Sequence, residues 1–286
     1  MHGKVNEDLV NVSRKHFAYG PDPSQHGEVF LPTQRRYAGV AVVIHGGYWR
    51  SRYGAELGQP LAQDLAEHGI AAWNLEYRRA GNGGGWPETF QDIAAGIDKL
   101  AEVAEEHALD LSRVVAMGHS AGGHLAVWAA GRQNLPAGAP GANRARVTLT
   151  AVVSQAGLLD LRTARELNLS QGAVVNFLGG SPERDPERYL LADPTQQLPL
   201  RIPVYAVHGE ADQDVPISQS KNYVLSSETA AHTETAALSG PAHPQAVPAQ
   251  FIQVPGDHFD LIDPSSQAYA RCRELVIAAL APTPDP

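Results

Sequence analysis

The chain has 286 residues, of which 43% are hydrophobic and 19% charged, which is typical of a globular protein that buries a substantial core. Its net charge of −9 argues against nucleic acids and anionic membranes as partners, because both require a basic face. A single cysteine, Cys272, excludes an intramolecular disulfide bond. The first ten residues carry no apolar signal-peptide region and no stretch approaches the ~20 apolar residues of a membrane span, so we expect a cytoplasmic protein.

Short apolar runs alternate along the chain with longer segments of helical periodicity. Such alternation predicts an α/β fold, with a mostly parallel central sheet covered by helices on both faces. The predicted strands are 40–44, 70–75, 114–117, 147–154, 203–207 and 251–254, with an antiparallel edge strand at 26–31. The predicted helices are 52–68, 87–107, 121–132, 217–229 and 266–280.

Two segments interrupt this alternation. Residues 158–200 contain no clear strand pattern and are interpreted as a cap or lid inserted into a single domain spanning 1–286. Residues 230–248 are rich in Ala, Pro, Thr and His, which predicts a surface loop.

The strongest motif is GHSAGG at residues 118–123, between a predicted strand and a predicted helix. This G-x-S-x-G pattern is typical of a sharp turn that lifts a nucleophilic serine, here Ser120, clear of the sheet. Gly118 and Gly122 suit the crowding of such a turn. The amide of Ala121 lies at a helix N-terminus, where it can bind a developing oxyanion.

A second motif, HGGYW at residues 45–49, directly follows the strand at 40–44. Glycines there allow the backbone to approach a substrate closely, and the amides of Gly47 and Tyr48 are the preferred oxyanion donors beside Ala121. Gly46 is a weaker candidate donor. His45 is interpreted as a structural residue that fixes this loop.

An acidic loop and a histidine complete the set. Residues 208–216, HGEADQDVP, follow a strand and contain Asp212 and Asp214; the pattern H-G-x-x-D-x-x-V-P favours Asp212 as the catalytic acid. His258 follows the last strand, so the chain order is Ser120, Asp212, His258, as in α/β-hydrolases. In such a triad the histidine takes the serine proton and the acid orients the histidine ring.

Together these motifs resemble the α/β-hydrolase superfamily from about residue 18 to residue 280. HGGYW at 45–49 with GHSAGGHLA at 118–126 is similar to the kynurenine formamidase (arylformamidase) and related carboxylesterase branch. The resemblance implies cofactor-free hydrolysis of a small-molecule ester or aryl formamide through an acyl- or formyl-enzyme. The same motifs serve formamides, aryl esters and short acyl esters, so they leave the substrate open.

Other interpretations are weaker. GNGGGW at 81–86 lacks the third glycine of a dinucleotide-binding loop, and no H-E-x-x-H or Cys/His spacing predicts a metal site, so we expect neither cofactor nor metal. A non-catalytic ligand-binding protein of this fold and a serine peptidase are the alternatives, and a homo-oligomer is left open. Four residues are candidates for the substrate pocket. Trp49 and His119 lie within the motifs, Trp86 ends the GNGGGW segment and Phe177 lies in the cap segment.

Overall fold

The computed structural model describes residues 12–142, 145–237 and 245–281, the side chains of 235–237 excepted. Eight strands form one sheet in the order β1-β2-β4-β3-β5-β6-β7-β8. The first two strands run antiparallel to their neighbours and the other six are parallel to one another. The strands are β1 (Val12–Ala18), β2 (His26–Pro32), β3 (Val40–Ile44), β4 (Ala71–Leu75), β5 (Val114–His119), β6 (Ala151–Gln155), β7 (Val204–Gly209) and β8 (Gln250–Val254).

Helices cover both faces of this sheet, as the predicted α/β-hydrolase fold requires. In β3, Val40, Val42 and Ile44 point to one buried cluster while Ala41 and Val43 point to the other, because successive side chains of a strand alternate between faces. The helices are α1 (Gln59–Glu67), α2 (Glu88–Asp98), α3 (Leu100–His107), α4 (Ala121–Gly131), α5 (Leu161–Glu166), α6 (Ala173–Leu178), α7 (Pro186–Ala192), α8 (Ser218–Ala237) and α9 (Gln267–Leu280). Helices α1 and α9 cover the second face, and α2, α3, α4 and α8 bury side chains in the cluster on the first.

The segment 158–200, interpreted as a cap, contains three short helices, α5 to α7, and no strand. Asp160 caps α5 by accepting a hydrogen bond from the Thr163 amide at 2.9 Å. Phe177 and Leu178 of this segment belong to the main buried cluster, so the cap is packed onto the sheet's helical layer.

Several predicted boundaries were wrong. Strand β2 is not an edge strand, because β1 pairs with its outer side. The predicted helix 87–107 is two helices separated at Lys99, and α1 begins only at Gln59. Strand β6 begins at Ala151 rather than at 147.

The predicted loop 230–248 was also wrong over its first part, because α8 continues to Ala237. This stretch is rich in alanine, a strong helix former, which outweighs the polar residues between the alanines. Residues 238–244 lie outside the described residues. None of the helices in the described ranges is long and apolar enough to cross a membrane.

Candidate active site

Ser120 lies between β5 and α4 in a backbone conformation that L-residues rarely adopt, with φ 55° and ψ −118°. The crowding around it explains the two flanking glycines. A Cβ on Gly118 would lie 2.2 Å from the carbonyl oxygen of Gly122, and one on Gly122 would lie 2.1 Å from that of Ile44. The sequence therefore allows a sharp turn that holds Ser120 at the carboxyl end of the central strand, where backbone strain commonly marks a functional residue.

His258 and Asp212 come from the loops that follow β8 and β7, and their side chains are in contact. The Asp212 Oδ2 atom lies 2.7 Å from Nδ1 of His258, and its Oδ1 atom accepts hydrogen bonds from the amides of Asp214 and Val215 at 2.9 and 2.8 Å. The Asp212 side chain is 1% exposed. Asp214 is exposed, so only the first of the two candidate acids contacts the histidine.

The environment of Asp212 keeps its carboxyl group ionised. Burial alone would raise its pKa, but hydrogen bonds from His208 and His258 hold the pKa well below its ordinary value of 3.8. His208 Nε2 lies 3.3 Å from the Asp212 Oδ2 atom and also 2.9 Å from the Val215 carbonyl oxygen. An ionised carboxylate on Nδ1 makes that atom a donor and leaves the Nε2 atom of His258 as an acceptor.

Ser120 and His258 line the same cavity, which has a volume of about 220 Å³. Within the described residues, no hydrogen bond joins the Ser120 hydroxyl to the His258 ring. Such contacts are often long in free enzymes and tighten when a substrate binds. The arrangement thus supplies a hydroxyl and a basic nitrogen on one cavity wall.

The HGGYW segment, residues 45–49, is here called the oxyanion loop, and it lies against the Ser120 turn. A Cβ on Gly46 would lie 2.8 Å from the His119 carbonyl oxygen and 3.1 Å from the Ser120 Cβ, which shows how closely the loop approaches. Gly47 and Tyr48 line the cavity and have φ values of 108° and 50°. The hydroxyl of Tyr48 donates to the Asp214 carbonyl oxygen at 2.7 Å, so the loop is also joined to the acid loop.

A buried ion pair that the sequence did not reveal supports the oxyanion loop from behind. Glu76 contacts Nε2 of His45 at 3.1 Å and Nη1 of Arg79 at 2.8 Å, and it accepts hydrogen bonds from the Ala55 and Tyr77 amides, each at 2.8 Å. His45 in turn contacts the Gly46 carbonyl oxygen through Nδ1 at 2.8 Å. His45 therefore links the loop to a buried carboxylate, in agreement with the structural role predicted for it.

Replacing Glu76 with Gln is expected to lower the free energy of unfolding by about 3 kcal/mol at pH 7, since the buried charge of Arg79 loses its partner. Burial alone would raise the pKa of Glu76, but the hydrogen bond and charge of His45, with Arg79, lower it from 4.5 to about 2. Because its pKa is lower in the folded than in the unfolded chain, the ionised Glu76 carboxylate stabilises the fold above pH 4.5. This stabilisation is lost as the pH falls towards 2 and the carboxylate is protonated. Urea unfolding at pH 7 and at pH 3 measures both effects.

The exposed Glu105 provides the matched control, because its replacement by Gln removes a carboxylate without touching the loop. The Glu76→Gln protein should lose less stability than the wild type between pH 4.5 and pH 2, whereas Glu105→Gln should follow the wild type. Parallel pH curves for all three proteins would contradict the assigned role of Glu76.

Three of the four predicted pocket residues do not line this cavity. Trp49 and Phe177 are fully buried and stack on each other with ring centroids 4.5 Å apart. Trp86 lines a separate surface cavity with Pro136 to Pro140 and Leu191. Trp49 and Phe177 instead belong to the core, because burying large aromatic rings removes much apolar surface from water.

His119 does line the cavity, and burial lowers its pKa to about 3, so its ring is neutral. Its Nε2 atom lies 3.0 Å from the His258 carbonyl oxygen and donates to it. Five further residues that line the cavity were not predicted from the sequence: Tyr53, Leu57, Ser170, Phe259 and Ile262. Phe259 directly follows His258, and the other four lie outside the motifs. The described residues contain no cluster of three or more His, Cys, Asp or Glu side chains able to hold a metal ion.

Known proteins resemble this chain at the level of both sequence and fold. Esterase LipQ of Mycobacterium tuberculosis is 28% identical over 191 residues, which cover 66% of this chain and 45% of LipQ. The isoprenylcysteine alpha-carbonyl methylesterase ICME of Arabidopsis thaliana is 25% identical over 243 residues, covering 80% of this chain and 56% of that protein. The chain thus spans about half the length of these curated relatives.

Solved structures of esterases share the fold. A truncated carbohydrate esterase from gut microbiota superimposes with a TM-score of 0.76 at 21% identity, covering 96% of this chain and 98% of its own. Esterase B from Lactobacillus rhamnosis, inhibited by a tributyrin phosphonate, gives a TM-score of 0.74 at 20% identity, with coverages of 94% and 85%. The BD-FAE family model matches residues 28–226, which is more than half of the chain. The chain therefore belongs to the BD-FAE family and to the α/β-hydrolase superfamily.

Proposed function

We propose that this chain is a serine hydrolase that cleaves carboxylic esters through an acyl-enzyme on Ser120. The observation that carries the proposal is the 2.7 Å contact between Asp212 and His258, because His258 lines the same cavity as Ser120. Serine hydrolases use such a set for nucleophilic acyl transfer: the carboxylate orients the imidazole, and the imidazole takes the serine proton.

In the proposed reaction, Nε2 of His258 removes the Ser120 proton as the oxygen attacks the ester carbonyl. Asp212 stabilises the imidazolium that forms, and the amides of Gly47, Tyr48 and Ala121 donate to the oxyanion of the tetrahedral intermediate. The imidazolium then protonates the leaving alcohol. A water activated by His258 hydrolyses the acyl-enzyme and restores the serine.

Ester cleavage is favoured over other acyl transfers by the names of the relatives, which are esterases. A cavity of about 220 Å³ suits a small-molecule substrate with a short acyl group better than an extended polymer. An aryl formamide is the second candidate, supported by the resemblance of the HGGYW and GHSAGGHLA motifs to arylformamidases.

A direct comparison of kcat/KM on p-nitrophenyl acetate and on N-formylkynurenine tests the proposal. Turnover of the acetate that is lost in Ser120→Ala, with little turnover of the formamide, is the expected result. A much higher kcat/KM on the formamide would replace ester cleavage by arylformamide cleavage. Absence of any Ser120-dependent turnover would instead support a ligand-binding role.

A further inference from the structure

His124 lies in the first turns of α4, four residues after Ser120, and joins three parts of the molecule. Its amide donates to the Ser120 carbonyl oxygen at 3.1 Å. Its Nδ1 atom accepts a hydrogen bond from the indole Nε1 of Trp49 at 3.2 Å, and its Nε2 atom lies 2.9 Å from the Ala192 carbonyl oxygen. The ring is fully buried between the nucleophile helix, the oxyanion loop and the cap.

These two ring contacts fix one protonation state. An indole N–H can only donate and a carbonyl oxygen can only accept, so Nδ1 carries no proton and Nε2 carries one. Burial lowers the pKa of His124 to about 4, which keeps the ring neutral around pH 7. His124 is thus a fixed acceptor for Trp49.

Trp49 is the last residue of the oxyanion loop, and the loop is strained at this end. Tyr48 and Trp49 both have positive φ, at 50° and 54°, a region that non-glycine residues seldom adopt. Such strain persists only where surrounding contacts over-determine it. The Trp49 ring supplies these contacts, because it stacks on Phe177 and meets the His124 ring edge-on with centroids 5.1 Å apart.

We propose that His124 is a positioning residue for hydrolysis: its Nδ1 atom holds the Trp49 indole and thereby sets the amides of Gly47 and Tyr48 against the Ser120 oxyanion site. This inference rests on the proposed function. His124 does not line the cavity, so it does not touch the substrate. Trp49, expected from the sequence to contact the substrate, instead anchors the loop that does.

A matched pair of variants separates positioning from packing. The Oδ1 atom of Asn occupies the place of Nδ1, so His124→Asn keeps the acceptor for Trp49 and loses the donor to Ala192. The Nε2 atom of Gln occupies the place of the histidine Nε2, so His124→Gln keeps the donor and loses the acceptor. Each variant removes one buried hydrogen bond, and similar losses of thermal stability are expected for both.

The experiment measures kcat and KM on the ester that the wild type hydrolyses, together with the indole N–H resonance of Trp49, assigned with Trp49→Phe. We expect His124→Asn to keep kcat within about 3-fold and His124→Gln to lower it by about 10- to 100-fold at unchanged KM, since misplaced oxyanion donors affect mainly the transition state. The chemical shift of the Trp49 indole N–H should change in His124→Gln and stay unchanged in His124→Asn.

Equal losses of kcat in His124→Asn and His124→Gln, with turnover still dependent on Ser120, would reject the positioning role of His124. The proposed function would stand. Wild-type turnover that does not depend on Ser120 would reject the proposed function and, with it, the positioning role. If His124→Gln does not fold, Trp49→Phe takes its place, because it removes the indole donor and keeps an aromatic ring on Phe177. It should lower kcat in the same way, and unchanged kcat would overturn the proposal.

Discussion

Replacement of Ser120 by Ala is expected to lower kcat on an ester substrate by about 10⁵- to 10⁶-fold, because the nucleophile of the proposed acyl-enzyme is lost. The fold should remain, since the Ser120 side chain makes no cap hydrogen bond to α4. Turnover by the purified variant, with active-site titration of the wild type, gives the measurement. Wild-type rates from Ser120→Ala would reject the proposed mechanism outright.

Ser120→Gly is the matched control for folding. It removes the same hydroxyl and also relieves the strain of φ 55° and ψ −118°, a conformation that glycine adopts readily. The free energy of unfolding of the Gly variant should therefore exceed that of the Ala variant by about 1 kcal/mol, and its melting temperature should be higher. Both variants should be inactive. Equal melting temperatures would show that the turn stores no strain.

Asp212→Asn has the second largest expected effect, a loss of up to about 10⁴-fold in kcat. An Asn Oδ1 atom can still accept from the Asp214 and Val215 amides, so the loop is preserved. Its NH₂ group, however, would face Nδ1 of His258 and force that atom to accept. The proton would then sit on Nε2, and His258 could no longer take the Ser120 proton.

Asp214→Asn is the control for this variant. The Asp214 side chain is exposed, and its contact with Tyr48 uses the backbone carbonyl oxygen, which the substitution retains. We expect kcat to stay within about 10-fold of the wild type. A large loss in Asp214→Asn together with a mild one in Asp212→Asn would transfer the role of the acid to Asp214.

The sequence predicted the six parallel strands of the sheet. Five of them, β3 to β7, are buried, and buried parallel strands are nearly continuous apolar runs. It missed β1, whose exposed Arg14 and Lys15 break any such run; this strand is recognisable only through its pairing with β2. Helix α8 extends past its predicted end at residue 229, because the alanines between 230 and 237 favour a helix despite the polar residues among them.

The residues of the candidate site also differ in how far the sequence predicts them. Residues tied to a local turn or loop, such as Ser120 and Asp212, can be predicted from short motifs, because the chemistry demands a particular backbone there. Their catalytic roles stay predictions until the variants above are measured. Cavity-lining residues such as Tyr53 and Ser170 carry no motif, because their position depends on how distant segments pack.

The members of the site are far apart along the chain, and this has a consequence for folding kinetics. The hydrogen bond from His119 to the His258 carbonyl joins residues 139 positions apart, and the Asp212–His258 contact joins residues 46 positions apart. Contacts of high sequence separation form late, because each must first offset the entropy of closing a long loop. During refolding, the proposed ester turnover should therefore return later than the helical signal, because it requires the loops that follow β7 and β8 to be in place.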